Sequence, residues 1–431
     1  MKKITLAFLI ISAIVANAQE IHRDTVYSSL REKVDEQAMK IAGYDERISA
    51  DESVLNELNK IKISGYIQSQ FEMNDVWSAD GSVHGSGTPT VSNSFSLRRA
   101  RVKFTYKPID GVNFVLCPDF QVNKISLKDA FVQLNDLWIN TFSLFVGQFN
   151  RPTYEVEFSS SAREFAERSL MTRTLYPSER DQGAKLEADF MTKFNVPLKL
   201  QFAVLNGNFG EGAIDNQVKD IDNGKDVMAR AVYSFSMPNK GLGIDIGGHT
   251  YIGNTTVIAQ TTPVPTVFKD VNNNSFTPIV GDKLKKELFG AEMQVYYDFL
   301  GGLSLKSEYI RGTYSGTTNP TQVNSSFNAN KVRNIEGYYI SLIKDVGKNN
   351  VASIRYDVFD PNTKLSGDAV TKKDDLKYNN WTYAWQYFFN SNIKLMASYT
   401  MPINEKSLNA GADYIKDKHD NVFTLRFQAS F

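Results

Sequence analysis

The chain has a single cysteine, Cys117, so no disulfide can form within it. It has four histidines, His22, His84, His249 and His419. No two of them have metal-ligand spacing on a common face, so neither a metal nor a cofactor is expected. Excess charge of either sign is also missing: 48 basic residues balance 48 acidic ones. That removes the bulk electrostatic case for a nucleic-acid partner. Beyond residue 15 no stretch approaches the roughly 20 apolar residues of a transmembrane helix. No Gly-rich loop follows a strand and opens a helix, and Ser/Thr runs such as "GTPTVSNSF" lack the setting of a nucleophile elbow. Cys117 precedes Pro118 within an apolar strand pattern and reads as a small packed residue. The chain is therefore expected not to be an enzyme.

What is present starts with an export signal. Lys2 and Lys3 precede an apolar run from Ile4 to Val15, and "ANA" at 16–18 is a small-x-small cleavage site. Residues 1–18 read as a signal peptide. Residues 19–60 read as a periplasmic helical segment. There Val34, Ile41, Ile48 and Leu55 recur every seven residues, with Leu30 and Leu58 at the companion position. This is a short, imperfect coiled-coil heptad, or else a single amphipathic helix.

Residues 61–431 read as strands. Sixteen segments alternate apolar and polar: 61–73, 93–107, 111–121, 125–135, 141–149, 181–190, 197–207, 225–236, 241–253, 286–299, 303–314, 332–346, 349–360, 378–390, 392–402 and 421–431. Most are near the length of a tilted membrane strand, about 9–11 residues. Short turns such as "KPIDG" and "DVGKNN" alternate with long polar loops; only the connection at 121–124 breaks the rule. Short turns on one rim and long loops on the other predict a 16-stranded antiparallel transmembrane β-barrel, apolar outside and polar inside. Such a wall must close, because hydrocarbon tolerates no open edge. Outer-membrane lipid is then a partner, and the cell outer membrane of a Gram-negative bacterium the location. Aromatics make up 12% of the chain, and those of "NNWTYAWQYFF" predict part of an interfacial girdle.

Sixteen strands leave an aqueous lumen unless something fills it. The candidate is the loop at 150–180, expected to fold inward as a constriction, with a short helix over "SSAREFAERSLM" capped by Ser160 or Ser161. It brings Arg151, Arg163, Arg168, Arg173 and Arg180 together with Glu155, Glu157 and Glu164. Opposed charges there would form an eyelet, or would pair and anchor the loop to the wall. Strand 93–107 adds Arg99, Arg101 and Lys103 on one face, about 6.6–6.8 Å apart. The row reads as an anion ladder, or as a network with Asp129, Glu187 or Asp189. Arg98 falls on the opposite face, at an interface or at a local bulge.

The elements "SFSLRRARVKF", "SLKDAFVQL", "FVGQFNRP" and "YPSERDQGAKLE" resemble the phosphate-selective porins O and P, particularly their Bacteroidetes members. The resemblance implies a homotrimeric porin whose third loop enters the lumen and which passes small hydrophilic solutes or anions. It also implies that terminal Phe431, with Phe427, forms the signal read by the barrel-insertion machinery. The alternative is a plugged barrel that binds surfaces through loops 254–285 and 315–331.

Overall fold

The computed structural model describes residues 31–37, 39–40, 44, 47, 52, 55, 57–75, 93–121, 124–176, 179–207, 220, 223–257, 260, 264–265, 267–315 and 331–431. The expected signal peptide lies outside them, as do Leu30, Ile41 and Ile48 of the heptad. The chain divides into two units, 1–61 and 62–431. In the first, residues 31–37 are helical, and Val34, Leu55 and Leu58 are each more than half exposed.

The second unit is a closed barrel of sixteen antiparallel strands. In chain order these are β1 (Ile61–Asn74), β2 (Asn93–Tyr106), β3 (Val112–Gln121), β4 (Lys124–Asn135), β5 (Phe142–Asn150), β6 (Arg180–Asp189), β7 (Leu198–Leu205), β8 (Asp226–Met237) and β9 (Leu242–Thr256). A two-stranded hairpin, β10 (Phe268–Lys269) and β11 (Ser275–Phe276), then stands in the loop. The wall resumes with β12 (Lys283–Tyr297), β13 (Leu303–Ser315), β14 (Val332–Val346), β15 (Asn350–Asp360), β16 (Tyr378–Phe388), β17 (Ile393–Asn404) and β18 (Val422–Ser430). All sixteen expected strands are present. The wall closes where β1 pairs with β18, from Tyr66 opposite Ser430 to Asn74 opposite Val422.

Alternation sorts the two faces as expected through most of the wall. On β18, Thr424, Arg426 and Gln428 are buried inside while Leu425 and Phe427 face out. On β12, Glu292 and Gln294 point in, and Phe289 and Met293 point out. Pro118 cannot donate to the ladder, and the β3–β4 register shifts between Cys117 and Pro118. Cys117 itself is buried in the wall. Aromatic pairs mark the short-turn rim: Tyr106 with Phe114, Phe142 with Phe190, and Phe389 with Tyr387 and Phe427. Trp381 and Tyr383 stack farther along β16, so the expected girdle residues line the height of that strand as well as its rim.

At the seam, Gly65 and Phe431 exchange two backbone hydrogen bonds of 2.9 Å. A Cβ at Gly65 would lie 2.4 Å from the Arg101 carbonyl and 2.6 Å from the Phe431 ring. Gly65→Val should therefore destabilise the barrel by about 1–3 kcal/mol, as overpacking does, and lower its unfolding midpoint in denaturant. An unchanged midpoint would mean that the seam is loosely packed.

Candidate functional site

The loop from β5 to β6 lies inside the barrel, and an apolar contact seats it. Val156, Met171, Leu175 and Tyr176 are almost wholly buried. They form one cluster with inward residues of β7 to β15, including Met228, Leu288, Ile310, Ile335 and Phe359. The expected polar inner face is thus wrong for this sector of the wall. The same strands turn Lys285, Glu287 and Glu336 outward at these levels, so the usual order of faces is inverted there. Glycines give the large side chains room: Gly312 pairs with both Leu288 and Ile335, and Gly337 with both Ile310 and Phe359.

The expected helix over "SSAREFAERSLM" does not form. Short helices occupy Tyr154–Glu157 and Leu170–Leu175, the second capped by Ser169, whose Oγ accepts from the Thr172 N–H at 3.3 Å. Between them the wall's side chains take up backbone carbonyls that a helix would use itself. Gln386 and Lys394 donate to the Arg163 carbonyl at 2.7 and 3.3 Å, Arg355 to that of Glu167 at 3.1 Å, and Arg426 to that of Ala166. Ser160, one of the expected caps, instead accepts from Arg101 at 2.9 Å and bonds the Tyr66 hydroxyl.

The loop's acids reach bases on many sides. Glu167 receives Arg98 through two bonds of 2.9 Å, Arg426 at 2.9 Å, and Arg99 at 3.7 Å. Two successive arginines meeting one carboxylate break the alternation of β2 at Arg98. Glu155 faces Arg355 at 3.5 Å, Glu157 pairs with Arg230 at 2.7 Å and Lys185 at 3.3 Å, and Glu164 pairs with Lys306 at 2.6 Å.

The expected arginines are equally engaged. Arg151 pairs with Asp181 at 2.8 Å and Arg163 with Glu179 at 3.2 Å. Arg168 pairs with Glu179 and donates to the Glu155 carbonyl at 2.8 Å. Arg180 pairs with Asp129 at 2.8 Å and with Glu179. Arg173 closes the last turn of the Leu170–Leu175 helix. In the β2 row, Arg101 pairs with Asp119 at 2.9 Å. Of the network partners considered for this row, Asp129 bonds Arg180 and also has Lys103 and Arg101 as electrostatic neighbours, Glu187 pairs with Lys199 at 2.8 Å, and Asp189 accepts from the Met191 N–H. Lys103 carries no hydrogen bond or ion pair among the described residues. With Arg101 and Arg180 it lines a polar cavity of about 350 Å³, closed on the loop side by Ser159, Ser160 and Ser161.

The sequence reading missed Glu167, which gathers three arginines, and the wall bases Arg230, Lys306, Arg355 and Arg426. Each wall base sits at an inward position of its strand, and that parity was the available signal. On the loop-bearing rim, Asp375 accepts from Arg333 at 2.8 Å, from Asn362 at 3.1 Å and from Lys331. Burial pushes its carboxyl up, but Arg333 and Lys331 more than offset this and hold it below the usual range. This contribution to rim stability is present at neutral pH and is lost as pH falls through the lowered value.

The phosphate-selective porin O and P family matches residues 73–431. No curated protein matches the sequence. Among solved structures the chain is similar to OprB of Pseudomonas putida, at 10% identity and a TM-score of 0.55, covering 88% of this chain and 96% of that one. It is similar to an anion-selective porin from Comamonas acidovorans at 11% identity and a TM-score of 0.52, covering 86% and 99%. It is also similar to a trimer form of OmpT of Vibrio cholerae at 10% identity and a TM-score of 0.50, covering 86% and 99%. At these identities the likeness carries the fold alone, and the family match assigns no lineage within the family. With a closed sixteen-stranded wall and a loop folded into its lumen, the chain belongs to the phosphate-selective porin O and P family and is an outer-membrane porin, a channel and not an enzyme.

Proposed function

We propose that this porin passes small hydrophilic solutes with a modest anion preference and without tight phosphate binding. The observation that carries this is the polar cavity beside the loop, where Lys103, near Asp129 but without a hydrogen bond or ion pair among the described residues, is the cation least engaged, while Arg101 and Arg180 are tied to carboxylates. A paired guanidinium has less capacity left for a second anion. Lys103 therefore sets the sign of selectivity, and Arg99, Arg101, Arg151, Arg163, Arg168, Arg173 and Arg180 chiefly hold the wall and the loop. Glu155, Glu157 and Glu164 act with them as anchors.

The proposal extends to assembly. A trimer form is known for the similar OmpT, and the exposed Val34, Leu55 and Leu58 offer an apolar stripe that a second copy would cover. Residues 1–18 would direct export, and Phe427 and Phe431, both turned outward, would be read during insertion. The rival, a plugged barrel acting at the cell surface, draws on the many strands that hold the loop. Planar-bilayer recording separates the two, since a plugged barrel gives no steps.

In a tenfold KCl gradient the wild-type reversal potential should lie on the anion side, and millimolar phosphate should not block. Lys103→Glu should move the potential toward cations. An unmoved potential would take Lys103 out of the ion path. Glu167→Gln should act differently, leaving Arg98, Arg99 and Arg426 without their shared carboxylate. The expected loss is ~2 kcal/mol, below the roughly 3–5 kcal/mol of a fully buried pair because Glu167 keeps 23% exposure. Single channels should also become noisier as the loop loosens. Quiet channels of wild-type stability would show that Glu167 is not an anchor.

A further inference from the structure

The strongest feature that permeation does not use is a buried cluster of His249, Glu292 and Glu308. The three residues come from neighbouring strands, β9, β12 and β13. Glu292 lies directly opposite Glu308 in the ladder, and His249 opposite Gly290, two residues before Glu292. Two carboxylates directly across a strand pair repel unless something positive lies between them. Both are almost fully buried, at 3% and 2% exposure.

Part of the compensation is visible. Arg230, paired across the ladder with His249, donates to both oxygens of Glu292 at 2.9 and 2.7 Å. Each carboxylate oxygen has a second lone pair, so Glu292 keeps capacity for another partner. Glu308 Oε2 accepts from the Tyr339 hydroxyl at 2.9 Å and from the Glu155 N–H at 3.1 Å. Glu308 Oε1 is buried with no partner among the described residues. His249 is the decisive member: it is 6% exposed, and both ring nitrogens are buried without a hydrogen bond among the described residues. Buried polar atoms are rarely left this way. Gly290 makes the ring's position possible, since a Cβ there would sit 2.2 Å from the imidazole Cε1. One ligand atom from each residue falls within 4.8 Å of the other two.

We propose that His249, Glu292 and Glu308 bind a divalent first-row transition metal in the barrel wall. One imidazole and two carboxylates suit Zn²⁺ or its neighbours, whereas Mg²⁺ and Ca²⁺ favour oxygen ligands. The ion would place positive charge between the facing carboxylates and occupy the orphaned atoms of His249 and Glu308. Because Glu308 also holds the Glu155 N–H, the site would tie the wall to the start of the constriction loop. Sequence reading missed it because its ligands are far apart in the chain and only the barrel register brings them together.

The test uses the full barrel, folded in detergent, freed of metal with a chelator and titrated calorimetrically with ZnCl₂. One Zn²⁺ per chain is expected. His249→Ala and Glu308→Gln should each weaken binding by at least the roughly 10–100-fold that outer-shell changes cost. Co²⁺ as a second probe should give visible d–d absorption in the wild type that both variants lose. Heat-modifiable gel mobility reports folding, and Glu308→Gln conserves volume should His249→Ala fail to fold. No binding heat and no Co²⁺ absorption in the wild type would overturn the proposal, leaving Arg230 and a proton to hold the carboxylates. Binding of equal strength in both variants would overturn it as well, by placing the metal elsewhere.

Discussion

A closed wall of sixteen strands encloses more space than its own side chains can fill, and that space must hold water or protein. Here it holds a loop, and the loop stays because one sector of the wall is apolar on the inside. Met171, Leu175 and Tyr176 bury themselves against Leu288, Ile310, Ile335 and Phe359. Non-directional burial of this kind supplies the attraction, and the facing glycines supply the shape. Without it, the loop's acids and bases would have the same charges but no fixed distances from the wall.

With the loop seated, its charges meet partners at short range on many strands. This explains why a lumen rich in arginine need not behave as a string of anion sites. A buried guanidinium bound to a carboxylate is costly to separate from it, so most basic groups here are structural. On the function proposed here, selectivity rests on the few cations less engaged, of which Lys103 is the clearest. The family's name describes phosphate preference, and membership gives the channel. The ion pairing of this chain argues for a weaker preference.

Much of the fold was legible because membrane strands are read by parity. Most of the sixteen segments carried alternation at their middle, where lipid forces apolar residues outward and the lumen favours polar ones; β2, with Arg98 beside Arg99, and β3, apolar from Phe114 to Pro118, did not. The inward loop was legible too, from its length and its mixture of charge and aromatics. The loop's backbone was not. "SSAREFAERSLM" has helical spacing, but its carbonyls go to Gln386, Lys394, Arg355 and Arg426, residues more than 180 positions away in the chain. Nor was the apolar inner sector, because alternation does not say which face is which once a strand rises above the hydrocarbon. Lys285 and Glu287 face outward at that level, while Leu284 and Leu288 face inward on either side of the buried Lys286. Glu167 was passed over because its partners Arg98, Arg99 and Arg426 lie on β2 and β18, which meet it only in the closed barrel.

The docking of the loop on this wall can be tested by locking it there. A Cβ at Gly337 would lie 3.0 Å from Cγ of Met171, within reach of the roughly 3.5–4.5 Å Cβ separation of a disulfide. Met171→Cys with Gly337→Cys, in a Cys117→Ser background, should form a disulfide on mild oxidation and leave single-channel conductance unchanged, since the loop would be held where it already rests. Failure of the pair to oxidise, or a conductance that changes when it does, would contradict a permanently seated loop.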